Sequence, residues 1–276
     1  MRFEIQSVAQ TSSPADSAQP PIEKILGYPV TLEPIEACVA RILAWIERGE
    51  KARVFVCANP HALVMADADP LFRKSLLSAD LATPDGVGMV LASKILGGRI
   101  RARVTGSDVF AGLNRALDRK GSCRVFFLGS SAANLEAITK KMAEVYPGVG
   151  VAGSYSPPFK AEFSPEDSRR MVEAVNACRP QVLWVGMTAP KQEKWIHLNR
   201  ERLDVNFIGA VGAVFDFFIG RVKRSHPFFQ SMGLEWLPRL LQEPKRLWRR
   251  NLVSTPLFLM RVLQTRASGR QKPGGY

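Results

Sequence analysis

The residues whose types could do chemistry fall in short segments rich in small side chains. Asp85 sits in Pro84-Asp85-Gly86, a tight turn at the end of a short apolar run. A carboxylate held rigidly there can take a proton from a hydroxyl nucleophile, a contribution on the order of 10²–10⁴ in rate. Pro-Asp-Gly is also favourable turn chemistry, so a purely structural turn stands beside the catalytic reading. Gly129-Ser130-Ser131, Gly186 to Gln192 and Gly209 to Asp216 are further small-residue segments. Each follows an apolar run, where backbone N–H groups and helix N-termini suit phosphates. Gly129, Ser130, Gly186, Lys191 and Asp216 are the candidates for holding a nucleotide-linked donor.

Two patterns are set aside. Asp67-Ala68-Asp69 matches the DxD of metal-dependent sugar transferases, but falls within or at the end of an expected helix, where residues two apart do not face each other. Gly86-Val87-Gly88 starts like a dinucleotide fingerprint, yet Leu91 takes the third glycine's place. The four cysteines and three histidines show no metal-ligand spacing, so no metal site and no cofactor is expected.

The elements that must position these segments alternate between strand-like and helix-like patterns. Strands are expected at Arg53 to Ala58, Asp80 to Thr83, Cys123 to Leu128, Val149 to Gly153, Val182 to Gly186 and Val205 to Gly209. One helix is expected from Asn59-Pro60, a cap followed by Pro at the first helical position, to about Ser78. Others cover Val87 to Leu96, a segment capped by Ser107 or Asp108 and running to Arg119, and the stretch from Ser131 to Tyr146. Ser164 opens a capping box for a helix to Cys178, and Pro190 to Arg202 is the next helix. This order predicts an α/β fold: a Rossmann-like, largely parallel sheet flanked by helices. Ligands of such sheets bind beyond the carboxyl ends of the strands, where the segments above lie.

Charge divides the chain of 276 residues. The net charge is +13, and from Arg221 onward twelve basic residues face two acidic ones. Residues 22–220 thus form an ordinary catalytic-sized domain. Residues 221–276 read as a basic, helical appendage with Leu234 to Gln242, Lys245 to Arg250 and Leu257 to Thr265 as helices. Its arginines are mixed with Trp236, Trp248, Leu257, Phe258 and Leu259, an interfacial composition aimed at an anionic membrane surface. Residues 1–21, rich in Ser, Ala, Gln and Pro, read as a disordered tail without the apolar core of a secretory signal. No run reaches the roughly 18 apolar residues of a membrane span. The expected location is cytoplasmic, peripheral at the inner face of the membrane, with the oligomeric state open and a homo-oligomer included.

Taken in order, the motifs resemble the WecG/TagA/CpsF glycosyltransferases (glycosyltransferase family 26). They are Asn59-Pro60, Pro84-Asp85-Gly86-Val87-Gly88, Arg103-Val104-Thr105-Gly106-Ser107-Asp108, Pro190-Lys191-Gln192-Glu193 and Gly233-Leu234-Glu235-Trp236. The likeness spans about Ile25 to Arg250. It implies an inverting, metal-independent transfer from a UDP-sugar to a sugar on a polyprenyl diphosphate, in cell-surface polysaccharide synthesis. N-acetylmannosamine, its uronic acid and glucose are all open as the sugar. The resemblance implies that Asp85 is the base, that Asn59 and Gln192 share the catalytic pocket, and that Asp216 contacts the nucleotide base. Cys57 stands where the family often has Thr, and Arg224-Ser225-His226-Pro227 replaces an Arg-Ala-Pro.

Charge developing on the departing diphosphate needs donors. Thr105, Arg239, Arg246 and Arg249 are assigned to the acceptor and diphosphate, although each arginine could equally bind lipid phosphates. A pI near 10 leaves one different class standing, a non-catalytic nucleic-acid-binding protein. No nucleic-acid motif supports it, and the partners expected are the donor, the lipid-linked acceptor and the membrane, not nucleic acid. A nucleotide-dependent oxidoreductase is weakened by the failed fingerprint.

Overall fold

A computed structural model describes residues 19–222 and 248–269. The expected tail up to residue 18, the helix at 234–242 and most of that at 245–250 lie outside the described residues. So do Arg239, Arg246 and the side chain of Arg249.

Six strands form one parallel sheet: β3 (Arg53–Ala58), β4 (Leu81–Pro84), β5 (Cys123–Gly129), β6 (Val149–Tyr155), β7 (Val182–Gly186) and β8 (Phe207–Ala210). Their spatial order is β4-β3-β8-β7-β5-β6. The strands are nearly continuous apolar runs because both faces are covered. Side chains alternate between two cores. Val54 and Val56 of β3, Phe126 and Leu128 of β5, and Leu183 and Val185 of β7 enter one core. Phe55, Val125, Phe127 and Trp184 enter the other.

The strand order dictates which helix covers which face. Right-handed crossovers that move in opposite directions along a sheet deliver their helices to opposite faces. The connections β3→β4, β6→β7 and β7→β8 run one way. Their helices α2 (Pro60–Ala68), α3 (Pro70–Leu77), α7 (Pro165–Cys178) and α8 (Lys191–Asn199) all feed the first core. The connections β4→β5 and β5→β6 run the other way, and α5 (Gly106–Lys120) and α6 (Ala132–Val145) feed the second. That second core also takes α1 (Ile35–Glu47) and α9 (Val214–Phe218). Between β4 and β5 the chain first forms α4 (Val87–Leu96) on the first face. Residues 99–105 must therefore cross the carboxyl edge of the sheet to reach α5. Val104 N–H donates to Pro84 O at 2.9 Å, tying that crossing to the end of β4.

Several expectations are corrected. The helix from Asn59 is broken, because Asp69 precedes Pro70 and the α conformation is disfavoured before proline. Asp69 instead caps α3, accepting Phe72 N–H at 3.0 Å. The cap of α5 is Thr105, not Ser107 or Asp108: its hydroxyl accepts Asp108 N–H, and the Asp108 carboxylate accepts Thr105 N–H at 3.0 Å. The sequence reading placed no element before Arg53, yet an antiparallel hairpin of β1 (Ile22–Ile25) and β2 (Tyr28–Thr31) precedes α1. Ile25, Tyr28 and Val30 bury into the first core. Beyond β2, Glu33 and Arg41 form a buried, bidentate ion pair, with Arg41 Nε at 2.9 Å from Glu33 Oε2.

The last described helix, α10 (Thr255–Ala267), also departs from expectation. Phe258 and Val262 are fully buried against α2 and α4 within the first core, so Phe258 is a core side chain and not a membrane-inserting one. Ser254 Oγ lies 2.8 Å from His61 Nδ1, and Arg261 pairs with Asp67. The end of the appendage is thus built into the α/β domain. Its other face exposes Leu252, Val253, Met260 and Leu263. Among the described residues no helix is long and apolar enough to cross a membrane.

Candidate active site

A cavity of about 940 Å³ runs along the carboxyl edge of the sheet. From β4 to β5 that edge spans four strand spacings, about 19 Å at roughly 4.8 Å each. The volume lies in the range of ligand pockets.

At the β3–β4 end, Asn59 caps α2 by accepting Ala62 N–H at 3.0 Å. Next to it Asp85 lines the cavity, its N–H donating to Ala58 O at 2.8 Å. That bond joins the last residue of β3 to the turn after β4, so the carboxylate is carried by two strands at once. Gly86 follows at φ +95°, a conformation L side chains resist, and α4 starts immediately. Thr105 and Arg103, from the chain crossing the edge, line the same end. The Thr105 hydroxyl is committed to its cap, also donating to Asp108 Oδ2 at 2.8 Å. Cys57 forms part of the floor. Burial pushes its thiol well up, and the negative charge of Asp85 and then Glu193 adds to the rise.

At the centre, helices after β5 and β7 leave for opposite faces, opening a crevice where Gly129 pairs with Gly186. No side chain fits at either. A Cβ on Gly186 would stand 2.2 Å from Phe215 Cδ2, and one on Gly129 would stand 2.5 Å from Gly186 O. At the β5 end, Ser131 caps α6, and Asn134 Nδ2 donates to Ser130 Oγ at 2.9 Å and to Asp216 Oδ1 at 3.3 Å. Arg221 Nη1 reaches Asn134 Oδ1 at 3.4 Å. Ser130 and Asp216, expected to hold the donor, are thereby brought together through Asn134, which the sequence reading had not singled out.

Gln192 is buried on the cavity floor. Its Oε1 accepts Gly212 N–H at 3.0 Å and Met187 N–H at 3.3 Å, fixing the loops after β8 and β7 to each other. Its Nε2 donates to Glu193 Oε1 at 2.8 Å. In this structure Gln192 shapes the site from beneath. Lys191 lines the cavity too, but its Nζ donates to Lys160 O at 2.7 Å and sits over the Phe163 ring. It braces the loop after β6, whose Phe159 stands fully exposed at the lip.

Glu193 had no assigned role in the sequence reading. It is 6% exposed, lines the cavity, and burial pushes its carboxyl up to about 7. The signal was present. Trp195, Ile196 and Asn199 are the inward residues of α8, and stepping back three or four positions lands on Gln192 and Glu193.

Asp67 and Asp69 are both engaged elsewhere, with Arg261 and with Lys194 at 3.0 Å, so the DxD pattern has a structural account. Among the described residues no group of three or more His, Cys, Asp or Glu is placed to hold a metal ion. The four thiols are unbridged, and burial pushes Cys38 to about 12 and Cys123 to about 11, as expected of inert core thiols.

The model of the glycosyl transferase WecG/TagA/CpsF family matches residues 23–272. A relative from Bacillus spizizenii strain W23 is 34% identical over 221 residues, 80% of this chain and 82% of the relative. It is named N-acetylglucosaminyldiphosphoundecaprenol N-acetyl-beta-D-mannosaminyltransferase. A protein of the same name from Bacillus subtilis strain 168 is 29% identical over 211 residues, 76% of this chain and 79% of the relative. A match across nearly the whole chain, enclosing every strand of the sheet and the cavity at its edge, makes this protein a glycosyltransferase of the WecG/TagA/CpsF family.

Proposed function

We propose that the protein moves a sugar from a UDP donor onto a sugar carried by a polyprenyl diphosphate, with inversion and without a metal. The observation that carries this reading is the arrangement of the cavity. A carboxylate, Asp85, lies at one end, and the loops after β7 and β8, with Gly186 and Gly212 among their lining residues, lie between it and the Ser130–Asn134–Asp216 cluster. Donor nucleoside at that cluster would lay its diphosphate over the crevice and direct its sugar toward Asp85. Asp85 then takes the proton of the acceptor hydroxyl as that oxygen attacks the anomeric carbon from the face opposite the leaving UDP. Negative charge on the departing diphosphate calls for cations and N–H groups. Arg103 and Arg221 line the cavity, and Arg239, Arg246 and Arg249 are assigned the same task from the basic C-terminal segment.

The relatives' names indicate N-acetylmannosamine as the transferred sugar and N-acetylglucosamine on diphosphoundecaprenol as its acceptor, and we adopt both for this chain. A lipid acceptor requires the enzyme at a membrane. The exposed apolar face of α10, with Met260 and Leu263 beside Arg266, is suited to lie in the interface, at the cytoplasmic face. The test is UDP release from a panel of UDP-sugars with the lipid-linked acceptor in liposomes. Acceptor-dependent release with UDP-N-acetylmannosamine is expected. Release that ignores the acceptor, or none with any donor while the protein still binds UDP, would overturn the transfer assigned here.

A further inference from the structure

Glu193 closes the Pro190-Lys191-Gln192-Glu193 motif, and the contacts around it set it apart from its neighbours. Gln192 can be oriented in only one way, because its amide oxygen must accept the N–H groups of Met187 and Gly212. Its amide nitrogen is thereby turned on Glu193, whose Oε1 accepts at 2.8 Å. The other carboxyl oxygen, Oε2, is buried and has no hydrogen-bond partner among the described residues. Buried polar atoms are rarely left so, and one that lines a cavity is placed to meet what enters it, a ligand or water. Glu193 is also placed by its neighbours. Through Gln192 it is tied to the loops after β7 and β8, beside the crevice, and with Asp85 it acts on the Cys57 thiol at the β3–β4 end of the floor.

We propose that Glu193 recognises the transferred sugar of the UDP donor, its Oε2 hydrogen-bonding a hydroxyl or amide N–H of that sugar. This rests on the reading of the cavity as a UDP-sugar site. The donor sugar, directly attached to the diphosphate, is the group that lies between the crevice and Asp85. A site built to hydrogen-bond a polar group discriminates strongly against a ligand that lacks it. Burial holds the carboxyl near neutrality in its protonation, which lowers the cost of keeping it dry until the sugar arrives.

The experiment is calorimetric titration of the wild type, Glu193→Gln and Glu193→Asp with UDP and with UDP-N-acetylmannosamine. Glu193→Gln keeps an acceptor for the Gln192 amide, so the loops stay joined. UDP affinity within about twofold of wild type, together with UDP-sugar affinity reduced about tenfold, and a loss in Glu193→Asp as well, is the expected result. UDP and UDP-sugar weakening in parallel would make Glu193 a support of α8 and overturn the proposal. Unchanged affinity for both would overturn it too. A wild type that binds no UDP would instead overturn the functional reading on which the proposal stands.

Discussion

Replacing Glu193 by Gln should stabilise the ligand-free protein, and by an amount that grows with pH. Glu193 lies on the cavity floor at 6% exposure, and burial raises its carboxyl from 4.5 to about 7. The folded state then holds this proton more tightly than the unfolded chain. Between pH 4.5 and pH 7 the folded protein binds more protons than the unfolded one, so stability falls as pH rises through that window and levels off above it. A shift from 4.5 to about 7, at about 1.36 kcal/mol per unit, amounts to about 3 kcal/mol at pH 8, and almost none of it is present at pH 4. An amide of the same shape does not ionise and still accepts from Gln192. The stability difference between Glu193→Gln and wild type, from urea unfolding at matched pH, should therefore widen by about 3 kcal/mol from pH 4 to pH 8 in the variant's favour. Parallel pH profiles for the two proteins would refute the reasoning and show that the carboxyl is solvated. A variant that is more stable and binds the sugar less well would be the usual exchange between stability and function.

Other outcomes follow from the last helix and its two faces. Phe258→Ala removes a fully buried ring from the first core and should cost about 3–5 kcal/mol in solution, without any membrane present. Unchanged stability would mean that α10 is not part of the domain. Leu263→Glu, on the exposed face, should leave stability within about 0.5 kcal/mol, while lowering partition onto anionic vesicles roughly tenfold by removing an apolar contact worth about 1.5–3 kcal/mol. Equal cosedimentation of variant and wild type would contradict the interfacial role of that face.

Much of the architecture could be read in advance because parallel strands buried on both faces leave dense apolar runs, as in Arg53 to Ala58 and Cys123 to Leu128. Asn59-Pro60 marked its helix start for a local reason, the side-chain cap, that the structure repeats. Reading failed at one local break and where tertiary contacts decide. Asp69-Pro70 was passed over because the apolar pattern continues across it, although the backbone cannot. The β1–β2 hairpin is only four residues a side and carries Pro29, so its apolar alternation is weak, and it is held by burial against the first core. Phe258 looked interfacial because basic residues surround it in sequence, and only packing against α2 and α4 shows which face of α10 turns inward. Of the site, Asp85, Ser130, Gly186 and Gln192 do meet along one cavity, whereas Gly129 pairs with Gly186 without lining it. Asn134 acts through a hydrogen bond to Asp216, 82 positions away, and such a bond between distant segments leaves little mark on a single sequence.

The account turns on Asp85 as the base at the head of a UDP-sugar cavity. The direct measurement is acceptor-dependent UDP release by wild type and Asp85→Asn, with UDP affinity of both determined by calorimetry. The account predicts a fall in turnover of about 10²–10⁴ with UDP affinity unchanged. Full turnover in Asp85→Asn would contradict it, leaving Pro84-Asp85-Gly86 as a turn that joins β4 to α4 and nothing more.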